Sequence, residues 1–227
     1  MTSATALIVG AGQGLSAALA RRLAARGYAL VLAARDPSDL APLAAETGAR
    51  TVACDASDRA DMARLFAEVD TTGTPLEVAV YNPSARIRGP IEELDTEAVE
   101  KAVMVTSYGA FLMANLASQR MLKEGKGALL FTGASAGVKG FANSSVFAMG
   151  KFGLRGLAQS LARELHPKGI HVGHFVIDGG IARADEANED DSRLDPEGIA
   201  DSYMAFLDQP RSAWAWEIEL RPWTERF

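Results

Sequence analysis

Cysteine is nearly absent. Cys54 stands alone in 227 residues, which excludes an internal disulfide and any zinc or iron–sulfur site built from several thiolates, and suits a reducing compartment. Basic residues are not in excess: 23 Lys and Arg face 29 Asp and Glu, for a net charge of −6. No basic stripe is present, so nucleic acid is not the expected partner. No apolar run approaches the ~20 residues of a membrane helix. The N-terminal MTSATALIVG also lacks the basic stretch of a secretory leader and reads better as a first strand. Internal repeats and linkers rich in Pro, Gly or Ser are missing as well. These absences predict a cytoplasmic domain without membrane or nucleic-acid contacts. Core-forming material is ample, with 48% hydrophobic and 23% charged residues, and the length suits one large domain.

Hydrophobic period divides the chain into short apolar runs and longer helical stretches. Strands are predicted at Ala6–Val9, Tyr28–Ala34, Thr51–Cys54, Leu76–Tyr81, Ala128–Thr132 and Ile170–Ile177. Helices are predicted at Leu15–Arg26, Ser38–Glu46, Asp58–Val69, about Thr96–Leu122 and Ser145–Leu165. Strand, helix, strand at this spacing means parallel pairing through right-handed crossovers. The expected fold class is α/β: a doubly wound parallel sheet of the Rossmann type, three layers α/β/α, in a single domain spanning 1–227. Its tail breaks the rhythm. Residues 184–201 are acidic and poor in large apolar groups, so they read either as a lid or as a solvated loop, and 184–227 is taken as a C-terminal substrate-lid or tail segment. Ala200–Leu207 looks helical. Trp214, Trp216, Ile218 and Leu220 alternate as in an edge strand, and the three Trp up to Trp223 predict a C-terminus packed onto the body or a partner subunit.

Between the first strand and first helix lies Gly10-Ala11-Gly12-Gln13-Gly14-Leu15-Ser16. Glycines there let the chain turn tightly and let a pyrophosphate approach the N–H groups that open a helix. A glycine-rich turn alone is a weak signal; one placed after strand one is much stronger. The second strand ends in Ala33-Ala34-Arg35-Asp36. An acid at that strand end would hold the ribose diol of NAD, whereas an arginine suits the 2′-phosphate of NADP. Arg35 comes first, which favours NADP(H) over NAD(H). Asp55, after strand three, either accepts from an adenine amino group or caps the next helix.

Taken together, these motifs resemble the short-chain dehydrogenase/reductase family over residues 4–183. Gly10 and Gly14 match two glycines of the family's GxxxGxG turn, with Ser16 in place of the third. Asp55 matches the adenine-contacting Asp. Tyr81-Asn82-Pro83-Ser84 stands where the family has Asn-Asn-Ala-Gly, and Asn82 is the one Asn retained. Asp178-Gly179-Gly180-Ile181 stands at the turn that shapes the nicotinamide site, where Gly179 and Ile181 fit and Asp178 departs. Phe152 to Val172 looks like the family's long helix and following strand. The resemblance implies a nicotinamide dinucleotide held by Gly10, Gly12, Gln13, Gly14, Leu15, Arg35, Asp55, Ala56, Asn82, Pro83, Lys151, Gly179 and Ile181. It also implies a small organic substrate and a homodimer or homotetramer formed through the two long helices. Gly150, Gly153 and Gly156 would permit close helix approach there.

The family's chemistry rests on Asn, Ser, Tyr and Lys, with Tyr four residues before Lys. Lys151 fits the lysine, but the other three positions hold Phe147, Ala134 and Thr106. In the family the tyrosine hydroxyl exchanges a proton with the substrate oxygen, helped by the lysine charge and the serine hydroxyl. Phe147 has no proton to give. A well-placed general acid contributes ~10²–10⁴-fold, so ketone–alcohol interconversion by that route should be severely impaired while cofactor binding by Lys151 survives. Ser135, Ser144, Ser145, Tyr108, His174 and Asp178 are the candidates for a replacement acid. For each there is a plainer role: the serines as helix caps, His174 as a core histidine. The expected function is an NADP(H)-dependent oxidoreductase with an atypical site. A catalytically silent dinucleotide-binding sensor or partner subunit is the alternative, and a non-redox isomerase or cyclase reusing the cleft comes third.

Overall fold

The computed structural model describes residues 4–183, 188 and 190–226. Seven strands form one sheet: β1 (Thr5–Val9), β2 (Ala29–Ala34), β3 (Arg50–Ala53), β4 (Leu76–Tyr81), β5 (Gly127–Thr132), β6 (Ile170–Ile177) and β7 (Glu217–Leu220). Their order is β3-β2-β1-β4-β5-β6-β7 and every neighbouring pair is parallel. The central strands read as continuous apolar runs because helices cover both faces. On one face lie α3 (Arg59–Asp70), α5 (Gly109–Glu124) and α6 (Ser145–Leu165), whose Phe66, Met113 and Leu154 pack on Leu7, Ala79 and Leu129. On the other lie α1 (Leu15–Ala25), α2 (Ala41–Thr47) and α7 (Pro196–Leu207), whose Leu19, Leu43 and Tyr203 pack on Ile8, Val80 and Phe175. This is the doubly wound, three-layer fold that the periodicity predicts.

Connections reverse direction between β1 and β4. The chain runs outward from β1 through β2 to β3, then returns to pair β4 with the other side of β1. Crevices at such a switch point, beyond the carboxyl ends of the strands, are where open α/β sheets bind ligands.

Several boundaries differ from the sequence expectation. The helix predicted over Thr96–Leu122 is α4 (Thr96–Val103), then a π-helical segment at Met104–Tyr108, then α5. Gly109 starts α5, and a Cβ there would lie 2.2 Å from the Tyr81 hydroxyl and 2.4 Å from the Ala56 carbonyl oxygen. Asp58 caps α3 by accepting from the Asp61 N–H, as expected. Ser144 precedes α6 but makes no side-chain cap bond, contrary to the capping role read from sequence.

The C-terminal reading is partly corrected. α7 begins at Pro196, four residues before the predicted start, behind an Asp195 cap. β7 does form the sheet edge, but it begins after both Trp214 and Trp216. Trp214 stacks on His171 at 4.3 Å, whereas Trp223 is 79% exposed, so only part of the tryptophan group is packed on the body. Of the segment 184–201 read as a lid or solvated loop, 184–187 and 189 lie outside the described residues, and 196–201 belong to α7.

Gly150 and Gly153 do permit close helix approach, but within the chain. Cβ atoms there would meet Thr106 at 2.8 Å and Ser107 at 3.2 Å, so α6 lies directly against the π-helical segment. Gly156 faces open space.

Candidate active site

A cleft of about 580 Å³ opens at the β1/β4 switch point, lined by Gly10, Ala11, Ala34, Arg35, Asp36, Cys54, Asp55, Ala56, Pro83, Ser84, Ala85 and Val105. Gly10 is fixed by the fold itself: its φ is +79° and a Cβ would strike Pro83 at 2.7 Å. Gly12 and Gly14 are different. A Cβ at either would meet no protein atom within 4 Å, so the fold does not require their bareness and the space beside the backbone is open. α1 begins at this point with no side-chain cap at Gly14 and no acid in its first turn. Its first N–H groups and the positive end of its dipole are left for an anion. The residues present therefore fit the diphosphate of a dinucleotide.

Ser16 and Asn82 serve the turn. The buried Ser16 Oγ donates to the Gly10 carbonyl at 3.0 Å and accepts from Asn82 Nδ2 at 2.7 Å. The pair locks the glycine turn to the end of β4, and this use of Ser16 is absent from the sequence reading. Gln13 donates from Nε2 to the Asp39 carbonyl, and Leu15 points into the core. Neither side chain lines the cleft.

Charge at the end of the cleft beyond β2 and β3 is asymmetric. Arg35 lines the cleft and has no hydrogen bond or ion pair among the described residues. The neighbouring Asp36 turns one carboxylate oxygen back onto the Ser38 N–H at 2.9 Å, which holds its carboxyl below the usual range. Asp55 accepts from both the N–H and the hydroxyl of Ser57 through Oδ1, and Asp58, not Asp55, caps α3. Cys54 is buried, its thiol pushed up to about 12 by desolvation, so it is unreactive at neutral pH.

Deeper in, Lys151 of α6 is only 2% exposed, and its Nζ donates to the Thr132 carbonyl at the end of β5 across 2.7 Å. Burial, then the Arg86 charge, pulls this ammonium down to about 7. One helical turn earlier is Phe147, clustered with Ala134 and Ala136 in a small buried apolar group. The ring centroid lies 5.8 Å from Lys151 Nζ and 4.3 Å from the guanidinium carbon of Arg86. Thr106 sits in the π-helical segment, and its hydroxyl accepts from the Ala85 N–H at 3.1 Å, fixing the loop that carries Arg86.

The alternative acids named from sequence are mostly engaged. His174 is fully buried. Its Nδ1–H donates to Glu217 at 2.9 Å, a tautomer assigned from the bonding partner. Desolvation holds the ring down to about 4, so it is neutral at pH 7. Its Nε2 lone pair faces Gly133, where a Cβ would lie 2.3 Å away. Asp178, also buried, lies 3.5 Å from Lys139 and 3.4 Å from Arg221. Tyr108 stacks on Phe111. Gly179 packs against Pro222 and Ile181 bridges Leu194, so both belong to the base of the C-terminal segment rather than the lining of the cleft. Arg86 is the residue that sequence reasoning passed over. Its signal was its position: a cationic loop directly after β4 at the switch point.

Comparison with known proteins agrees with this architecture. Residues 4–192 match the short chain dehydrogenase family. The chain is 31% identical over 185 residues to the 3-oxoacyl-[acyl-carrier-protein] reductase MabA of Mycobacterium tuberculosis, covering 80% of this chain and 72% of that protein. It is 25% identical over 228 residues to an uncharacterized oxidoreductase of Staphylococcus aureus, covering 98% of each. A crystal structure of a short-chain dehydrogenase from Rhodopseudomonas palustris superimposes with a TM-score of 0.85 at 35% identity, over 97% of this chain and 99% of that one. The chain belongs to the short-chain dehydrogenase/reductase family.

Proposed function

We propose that this chain is an NADP(H)-dependent oxidoreductase with atypical acid–base chemistry, acting on a small organic substrate. The observation that carries the reading is Lys151: a buried ammonium at the end of β5, beside the hydrocarbon ring of Phe147 where the family has a tyrosine. The nicotinamide group supplies a hydride when bound. Lys151 holds the ribose hydroxyls, the N–H groups of Gly12 to Leu15 take the diphosphate, and Arg35 takes the 2′-phosphate. Asp55 has Oδ2 left to accept from the adenine amino group. Phe147 and Ala134 offer no hydroxyl at the place where a substrate oxygen would otherwise be protonated. Substrates that take their proton from solvent, such as activated C=C or C=N bonds, depend least on the missing tyrosine.

The same apolar cluster favours a second reading. Ala134, Ala136 and Phe147 present only hydrocarbon, which suits a protein that binds the dinucleotide without turnover, as a sensor or a partner subunit. The pairing of two or four copies would run along α5 and α6, where Phe111, Met149 and Phe152 are exposed apolar side chains. Segment 184–227 would cover the substrate, and the single buried thiol suits the cytoplasm. A titration with NADPH followed by a turnover screen of enones, imines and ketones separates these readings. NADPH consumption with any of them supports the enzyme; saturable binding with no consumption supports the silent protein; no binding defeats both.

A further inference from the structure

We propose that Arg86 is the anion receptor of the substrate pocket, and that the substrate is a small organic acid whose carboxylate this guanidinium grips. The inference rests on the reading of the cleft as a dinucleotide site and adds the substrate class. Ala85 lines that cleft, and the next residue, Arg86, is exposed beside it. The guanidinium carbon of Arg86 lies 4.3 Å from the Phe147 ring centroid, and Lys151 Nζ lies 5.8 Å from the same centroid. Arg86 is thus within reach of a molecule resting against the ring.

Its backbone is fixed on both sides. The Ala85 N–H donates to Thr106 Oγ1 at 3.1 Å, and the Gly89 N–H donates to the Asn143 carbonyl at 3.1 Å. A rigid loop of this kind holds a receptor in place before the ligand arrives. Yet Arg86 has no carboxylate partner among the described residues, whereas Arg22, Arg26, Arg120 and Arg155 each pair with an acid.

The charge surrounding it is one-sided. Arg88 and Lys151 are both close enough to act on or feel Arg86. Asp178, buried at the turn after β6, is already shared by Lys139 and Arg221. In a chain of net charge −6, an uncompensated cationic group around an apolar floor favours an anionic ligand. Desolvation and Arg88 both work against the guanidinium's charge, and a bidentate carboxylate would relieve both. The alternative is that Arg86 merely covers Phe147 through a cation–π contact.

The test compares benzoate with benzamide, equal in shape and different in charge. Each is titrated by saturation-transfer NMR against the protein with and without NADPH at constant ionic strength. Benzoate should bind at least about tenfold more tightly than benzamide, the scale of a charge-assisted bidentate pair. Arg86→Gln should remove that preference while leaving the benzamide and NADPH affinities in place, and Arg86→Lys should restore part of it. Equal binding of the two probes, or a preference that survives Arg86→Gln, overturns the proposal. Failure of NADPH to bind would defeat the dinucleotide reading alone, because the benzoate preference of the cofactor-free protein still decides the role of Arg86.

Discussion

Lys151 and Thr132 are joined by a 2.7 Å bond from the lysine ammonium to the threonine carbonyl, which ties the middle of α6 to the carboxyl end of β5. The contact fixes a buried cation at the carboxyl end of β5. It also sets the price of keeping that cation, since burial depresses its proton affinity from 10.5 to about 7.

That depression gives a pH dependence with a definite sign. Below pH 7 the lysine is charged in both folded and unfolded chains, and the folded chain bears the full penalty of burying it. Between 7 and 10.5 the unfolded chain binds the proton more strongly, so stability rises with pH and the penalty disappears above 10.5. Lys151→Met should therefore raise the melting temperature at pH 6, by about 2–4 °C for each kcal/mol recovered, and the gain should shrink by pH 10. NADPH affinity of the parent should fall above pH 7 by up to about tenfold per unit, and the variant should lack that slope.

The glycine turn separates fold from binding. Gly10→Ala forces a side chain into a φ of +79° and against Pro83, so it should lower thermal stability by at least about 1 kcal/mol. Gly12→Ala and Gly14→Ala meet no protein atom, so they should melt close to the parent while losing dinucleotide affinity. Equal stability loss at all three positions would mean that the open space has another cause.

On the proposed reading, Arg35 would carry the choice of dinucleotide. Arg35→Ala should weaken NADPH about 10–100-fold, the range of a charged hydrogen-bonded contact, and leave NADH nearly unchanged. A direct titration of both reads the ratio, and equal weakening would remove the preference for NADP(H).

Phe147→Tyr combined with Ala134→Ser would return a hydroxyl beside Lys151. Reduction of simple ketones with NADPH should then rise by about 10² or more over the parent. No rise in a variant that still binds NADPH would show that Phe147 does not occupy the tyrosine's place.

Much of this was legible in the sequence because the fold repeats a strong period. The apolar runs at Leu76–Tyr81 and Ile170–Ile177 and the glycines after β1 point to the same sheet, and local pattern agrees with tertiary structure there. The interruption of the long helix at Met104–Tyr108 was not legible. It lies where α6 brings Gly150 against Thr106, a contact between segments far apart in the chain. Arg86 was missed for the same reason: an arginine in a loop looks solvated until the fold lays it over Phe147. The bond between Ser16 and Asn82 was not legible because it runs across 66 residues, a pairing that spacing does not reveal.

The central claim is that a nicotinamide dinucleotide lies across the ends of β1 and β4, held at one end by Arg35 and at the other by Lys151. Isothermal titration calorimetry of the purified chain tests it most directly. Saturable uptake of one NADPH per chain, tighter than NADH and abolished by Gly14→Ala without loss of folding, is the predicted result. Absence of binding heat with both dinucleotides across 10–40 °C, where a compensating enthalpy cannot vanish at every temperature, would contradict it.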